Sequence, residues 1–524
     1  MLYENGIKNI AEIYWRTREI FAERGRRSSN GGFDAAQVSA IYNDWMTSIH
    51  SINQDIKSGH NKIVARARES ALNDGYAKKF LNTVNQNMIG PGGFVLRNKA
   101  FDWGKDEKTK KSKKIFDTVA NTKIEEAHYE WGKPKYYTIT GQGSAREVDG
   151  LIVKTVARDG EIFIRKVNVD KYKNPFGFSV QLIETEYCDV NYNKLLPNGN
   201  YIYMGIEFDQ KRIPVRYYFR KSKPQDESRY VLSNDYISFP AEEIIHLYIR
   251  ESTYQVRGIS WLVPMLIRLH MLKEYENAML VKVRLAANSG IILEKKEDTA
   301  PNPFAGINGA KKDTDGNYTK NWRPGEAFIA DGYKVSTIDL NAPNGQEISF
   351  IQSVLLGAAA GGNVAYTTFS GDWKNFNYSA SRMELGQEQE GWKGLQSWYI
   401  EHFKEPLMES WLEVALTTKA VDLSIDKFDK FFKPWFYGRR WPYYKPSEEI
   451  SADIDALDAK IMTLEEVLSK RGVDLMDHIE QLKYEKQLFE DFEITKTEPK
   501  PNSFEIVKKN GKANKEEIEN AKAN

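Results

Sequence analysis

The chain has 524 residues, enough for about three structural units and a substantial core. Its 74 Lys and Arg stand against 73 Asp and Glu, a formal charge of +1, which excludes a nucleic-acid binder working through bulk positive charge. Hydrophobic content of 41% with 28% charged residues excludes global disorder, and the single cysteine, Cys188, excludes an intramolecular disulfide framework and a Cys-rich metal site.

In chain order, the start carries acidic residues and no long apolar core, so it does not read as a secretory signal. Two short helical patterns flank residues 26–33, a turn or mobile segment rich in Gly and Ser. Over 61–88, Ile63, Ala67, Ala71, Phe80, Leu81, Val84 and Met88 recur at helical spacing, with an interruption near Gly75 and a Gly/Pro stop at 89–93. Residues 103–117 hold a lysine run, read as a solvated helix face or loop. Between 150 and 250 the stretches 151–156, 161–167, 178–183, 201–208 and 215–219 are short and rich in β-branched and aromatic residues. Turns such as Pro197-Asn198-Gly199-Asn200 separate them, which predicts an antiparallel sheet.

Leu262, Leu266, Leu269, Leu272, Met279, Val283 and Ala286 predict a helix over 261–287, about 40 Å long. Arg268, Lys273, Glu274, Glu276, Lys282 and Arg284 make it unsuitable as a membrane span. A small β insert is expected over 291–339 and a shorter helix over 346–360. Next come a Gly/Asn/Tyr-rich segment at 361–378, a long helix over 379–417 and further helices to about 492. Residues 495–524, rich in Lys, Glu, Asn and Pro, are expected to be a disordered tail. The longest uncharged stretch is broken by Gly, Ser, Gln, Asn and Thr and fails the requirement of about 20 predominantly apolar residues for a span. A soluble cytoplasmic α+β product without internal repeats is expected.

The chemical motifs are few. The seven histidines, His50, His60, His128, His246, His270, His402 and His478, never fall at metal-ligand spacing on one helix. Asp313-Thr314-Asp315-Gly316-Asn317 starts like a calcium loop, but its Gly is misplaced and Pro324 stands where the closing Glu belongs, so a turn is the better reading. Gly141-Gln142-Gly143 and Gly90-Pro91-Gly92-Gly93 lack dinucleotide spacing, and no phosphate-loop motif is present. Gly258-Ile259-Ser260-Trp261-Leu262 lacks the closing glycine of a nucleophile elbow. Neither an enzyme nor a cofactor or metal is expected.

Beginning at Gln255-Val256-Arg257-Gly258-Ile259-Ser260-Trp261-Leu262-Val263-Pro264, the chain resembles the lambda-type portal proteins of tailed bacteriophages. The likeness continues through Leu272-Lys273-Glu274-Tyr275-Glu276-Asn277-Ala278 to Ala286-Ala287. Upstream, Ala65-Arg66-Ala67-Arg68-Glu69, Asn87-Met88-Ile89-Gly90-Pro91-Gly92, Arg158-Asp159-Gly160-Glu161-Ile162-Phe163 and Met204-Gly205-Ile206-Glu207-Phe208-Asp209 resemble the family's early helix and strands. Downstream, the most specific block is Phe369-Ser370-Gly371-Asp372 with Asn377-Tyr378-Ser379-Ala380-Ser381-Arg382. Gly438-Arg439-Arg440-Trp441-Pro442, Pro446, Thr463-Leu464-Glu465-Glu466 and Gly472-Val473-Asp474 are similar to the family's end. The blocks keep the family's order over roughly 61–489. Gly361-Gly362-Asn363-Val364-Ala365-Tyr366 departs from the usual Gly-Val-Pro, and Pro442 and Pro446-Ser447-Glu448 depart near the C-terminus, which touches local loop geometry.

The resemblance implies a homo-oligomeric ring of about twelve copies at one capsid vertex of the virion, assembled in the bacterial cytoplasm. Double-stranded DNA would pass through it without sequence specificity, and no membrane is involved. Terminase, the major capsid and scaffold proteins and head-tail adaptors are the implied partners. The implied parts are an N-terminal segment (1–60), a β-rich wing (61–250), a first stem helix (251–290), a clip (291–345) and a second stem helix (346–360). A tunnel loop (361–378), a long helix (379–417), a helical crown (418–494) and the tail follow. Arg257, Gly258 and Pro264 are expected to set the start of the stem helix, with Gly258 at a tight bend. Asp372 and Lys374 are the only charges between Glu347 and Arg382 and are expected to face the channel. Gly371, Asn377, Tyr378, Ser379, Ser381 and Arg382 are expected to form the base of the loop, with Ser379 as a helix cap. Another phage head or tail structural adaptor is the alternative, and a head nuclease or protease lacks any clustered acidic or nucleophilic signature.

Overall fold

The computed structural model describes residues 46, 48–105, 112–221, 235–287, 291–295, 311–312, 318–319, 333–337, 346–374, 378–441, 445–471 and 473–491. The chain divides into two compact units, residues 1–58 and 59–524. Residues 26–33, the tip of the lysine run at 106–111 and the tail at 495–524 lie outside the described residues.

Two helices, α1 (Ile52–Asn73) and α2 (Gly75–Met88), realise the first helical pattern. Its interruption is a cap: Asp74 is extended, and its carboxylate accepts the Ala77 amide at 2.7 Å. α2 buries Ala77, Phe80, Leu81, Val84 and Met88, as the spacing predicts. After β1 (Val95–Asn98) and the hairpin of β2 (Phe101–Lys105) and β3 (Ser112–Phe116) come α3 (Thr118–Trp131), a short turn α4 (Pro134–Tyr137) and α5 (Ala145–Asp159). The opening of the expected wing is therefore mostly helical, with three short strands.

α5 corrects the strand expected over 151–156. Leu151-Ile152-Val153 and Val156 have sheet propensity, but that preference is weak against packing. A capping box between Ser144 and Glu147 starts the helix, and Gly160 ends it at φ 97. Val148, Ile152, Val153 and Val156 then fall on one face, each at most 4% exposed.

The remaining strand expectations hold more closely. β4 (Glu161–Asn168) lies between β5 (Phe178–Ile183) and β11 (Ile244–Tyr248) in an antiparallel sheet. Ile164 pairs with Leu182 on one side and Ile245 on the other. Alternation along β4 sends Ile162 and Ile164 to the main helical core and Phe163 to a second cluster with Ile206, Tyr217 and Phe219. That cluster is covered by a meander of β6 (Lys194–Leu195), β7 (Tyr201–Tyr203), β8 (Ile206–Phe208), β9 (Pro214–Arg220) and β10 (Tyr236–Pro240). The single strand expected over 201–208 is two, because Met204 and Gly205 adopt φ 49 and 82 and make a two-residue hairpin turn.

α6 (Val263–Ala287) and α7 (Gln346–Gly361) pack together, with the Tyr275 and Phe350 rings 5.1 Å apart. Between them β12 (Ile291–Lys295) pairs with β15 (Tyr333–Thr337), and β13 (Lys311–Lys312) with β14 (Tyr318–Thr319), as a β insert requires. A five-residue helix, α8 (Tyr366–Ser370), then interrupts the expected loop.

The long helix is α9 (Tyr378–Tyr399) and α10 (Glu405–Thr417), joined by a π turn over Ile400–Lys404. The Glu405 amide bonds back to the Ile400 carbonyl across this widened turn, just before Pro406, which has no amide to donate. Lys404, 5% exposed, meets the buried Asp149 carboxylate of α5 at 2.6 Å, and the Tyr399 hydroxyl donates to the same group at 2.9 Å.

The sequence predicts a helical C-terminal region after 417. α11 (Phe428–Phe431), α12 (Pro446–Asp458), α13 (Leu464–Lys470) and α14 (Leu475–Asp491) supply it, but β16 (Pro434–Tyr437) is a strand paired with β1, placing Leu96 opposite Phe436. Thr463 and Glu466 form the capping box of α13. Among the described residues no helix is long and apolar enough to cross a membrane, and no His, Cys, Asp or Glu cluster could hold a metal ion.

Candidate functional site

The segment leading into α6 is built around one buried carboxylate. Glu161, the first residue of β4, is fully buried. Its Oε1 accepts from Arg257 Nε at 2.8 Å and from the Thr185 hydroxyl at 2.5 Å. Its Oε2 accepts from His246 Nε2 at 2.9 Å and from the Gly258 amide at 2.8 Å. His60 Nε2 stands 3.4 Å from Oε1. Arg257, also fully buried, uses Nη1 to reach the Cys188 and Met204 carbonyls, both at 2.9 Å. Burial pushes the Glu161 carboxyl upward, but the Arg257 guanidinium and the bonds from His246 and His60 outweigh it and hold it well below the ordinary carboxylate value. Burial pulls His246 below its ordinary value despite the neighbouring carboxylate, so the imidazole is the neutral donor of this contact. Burial raises the Cys188 thiol to about 12, which leaves it an inert packing group.

Arg257 and Gly258 thus come together with Glu161, although the reason for the glycine differs from the expected bend. Gly258 does not take a positive φ. A Cβ there would lie 2.2 Å from the Gly160 carbonyl oxygen, so two backbones touch where α5 ends and the approach to α6 begins. The Trp261 amide and the Ser260 hydroxyl both donate to the Ala157 carbonyl and tie the same joint. Pro264 lies in the first turn of α6, where its missing amide costs nothing. It also meets the next motif, since a Cβ on Gly361 at the end of α7 would stand 2.9 Å from Pro264 Cβ.

Beyond Gly361 the chain is anchored rather than free. Asn363 turns it at φ 52, and Phe369 of α8 is 1% exposed between the Tyr76 and Phe80 rings of α2. Gly371 ends α8 at φ 77. Asp372 turns inward: Gln352 of α7 donates to its Oδ2 at 3.1 Å and the Lys374 amide to its Oδ1 at 3.1 Å. These two bonds hold its carboxyl below the ordinary value, the Lys374 amide contributing most. Lys374 is exposed.

Asn377 lies outside the described residues. α9 starts at Tyr378, so Ser379 stands in its first turn and not at the cap. Ser381 is buried, and Arg382 reaches Glu449 of α12 at 3.0 Å. Sequence reasoning missed Glu161, His246, Gln352, Glu384 and Glu388. Glu161 carried a signal as part of the Arg158–Phe163 block, and Glu384 and Glu388 as carboxylates one helical turn apart on a long helix; His246 and Gln352 carried none that pointed to these contacts.

Residues 39–396 match the profile of the family described as phage portal protein, lambda family. A probable portal protein of Halomonas phage phiHAP-1 is 24% identical over 453 residues, covering 86% of this chain and 85% of that protein. Among solved structures, the neck of an empty gene transfer agent particle computed with C6 symmetry aligns with a TM-score of 0.39 at 9% identity, covering 78% of this chain and 92% of that one. The neck of a native particle computed with C12 symmetry aligns at 0.38 and 9%, covering 78% and 93%.

Proposed function

The chain belongs to the lambda family of phage portal proteins, and from that premise we propose that it closes into a ring of about twelve copies at one capsid vertex, through which double-stranded DNA enters and leaves. The observation that carries the ring is the surface of α6 and α7. Leu266, Leu269 and Leu272 of α6 are buried, yet Ile267, Met271 and Leu280 are 71%, 67% and 63% exposed, and Ile348 and Leu356 of α7 are 62% and 58% exposed. Apolar faces this open on neighbouring helices call for a second copy.

In this reading α6 and α7 are the stem, the β insert between them is the clip, residues 61–250 are the wing and 418–494 the crown. The segment 361–378 borders the channel, and Lys374, a flexible point cation repeated around the ring, makes sliding contact with phosphates. A nearly neutral chain suits that task, because tight phosphate neutralisation would hold DNA in place. A terminase supplies the motive force, and capsid, scaffold and head-tail adaptor proteins cover the outer surfaces. Mass measurement and electron micrographs of the purified protein test the ring: a species of many subunits with a central hole is expected, and a strictly monomeric protein in phage heads overturns the reading.

A further inference from the structure

The helix α8 has no side-chain cap of its own, since Ala365 occupies the cap position. Its first donors are taken by α9 instead. Glu388 Oε2 accepts the Ala365 amide at 3.1 Å and the Thr368 hydroxyl at 2.8 Å. Glu384 accepts the Tyr366 amide at 3.1 Å and the Thr367 hydroxyl at 3.4 Å. Trp392, one turn further along α9 and 4% exposed, donates its indole N–H to Glu388 Oε1 at 2.9 Å and fixes that carboxylate in place. Phe369 and the Asp372–Gln352 bond secure the same segment to α2 and α7. Past Asp372 the chain is open, with Trp373 52% exposed and Lys374 exposed.

We propose that Glu384 and Glu388 are positioning residues: they tie residues 365–368 to the long helix, so that Trp373 and Lys374 are carried by α9 and do not swing on a free tether. The tie is a property of this chain alone, and its consequence for DNA rests on the channel reading above. Two acceptors per carboxylate are needed to hold four donors and the indole, so the pair is more than a surface charge stripe.

The test uses purified full-length protein. Glu384→Gln with Glu388→Gln keeps size, removes the charge and turns one of the two acceptor oxygens of each side chain into a donor, which the amides and hydroxyls of 365–368 and the Trp392 indole cannot use. Amide hydrogen exchange at Ala365 and Tyr366 is expected to accelerate about tenfold, with exchange in α10 unchanged. Thr368→Val, which removes one donor from the loop side, is expected to move exchange in the same direction by less, and it carries the test if the double variant fails to fold. Particles built with either variant are expected to assemble and to hold less DNA. Unchanged exchange at 365–368 in both variants overturns the tie, and accelerated exchange with wild-type DNA content overturns the positioning role. Lys374→Glu, which leaves the tie intact, reports separately on the channel reading.

Discussion

Glu161 and Arg257 show how much one residue pair carries here. Each is wholly buried, and each is the other's charge partner. Glu161→Gln leaves a guanidinium buried without a counter-charge, which is expected to cost about 3–5 kcal/mol, read from the denaturant midpoint. The same hub sets a pH dependence. The His246 imidazole titrates in the folded chain below its ordinary 6.5. The unfolded chain therefore takes up that proton first, so stability is full above about 6.5 and falls as the pH drops below it. Glu161, held below its ordinary 4.5, adds a second loss at lower pH still. Thermal midpoints between pH 7.5 and 5.5 are expected to decline in the wild type and to decline less in His246→Gln. At Gly258, any side chain meets the Gly160 carbonyl, so Gly258→Val is expected to fail at folding before assembly is tested, seen as loss of soluble protein. Lys374 is the converse case. It is exposed, and Lys374→Glu is expected to leave the fold and the ring unchanged while reducing packaged DNA, measured as genome content per particle.

At the scale of elements, helices were legible where a cap and a buried face agreed. Asp74 and Gly90 bracket α2, and the run from Ala77 to Met88 supplies its face. In α5, Ile152, Val153, Thr155 and Val156 favour a strand locally, whereas Ser144, Glu147 and Gly160 mark a helix at its two ends. β16 escaped because four residues hold too little periodicity, and its partner β1 lies more than three hundred residues upstream. The π turn at Ile400–Lys404 left only Pro406 as a trace. The buried Lys404–Asp149 contact, which joins that turn to α5, has no sequence signal at all.

For the whole molecule, α6 is the informative helix. Its first half enters the main core through Met265, Leu266, Leu269 and Leu272, while Leu280, Val281 and Val283 further along are 63%, 53% and 44% exposed. In the proposed ring a second copy covers this surface, which would account for apolar residues along a helix that runs past its own core. Met271→Asp with Ile267→Asp is expected to leave the circular dichroism spectrum unchanged and to abolish the multi-subunit species in mass measurement. The order of helix, β insert, helix, glycine-rich segment and long helix was set by local signals alone: periodicity, caps, glycines and the blocks resembling the portal family. Those signals act within a few residues, so one sequence is enough to read them. The tertiary structure alone decided that Glu161 gathers Arg257, His246, Thr185 and the Gly258 amide, that Asp372 turns inward to Gln352, and that Glu384 and Glu388 seize α8. Those contacts join residues up to about a hundred positions apart, and a carboxylate's partners follow from which backbones the fold brings within hydrogen-bond reach.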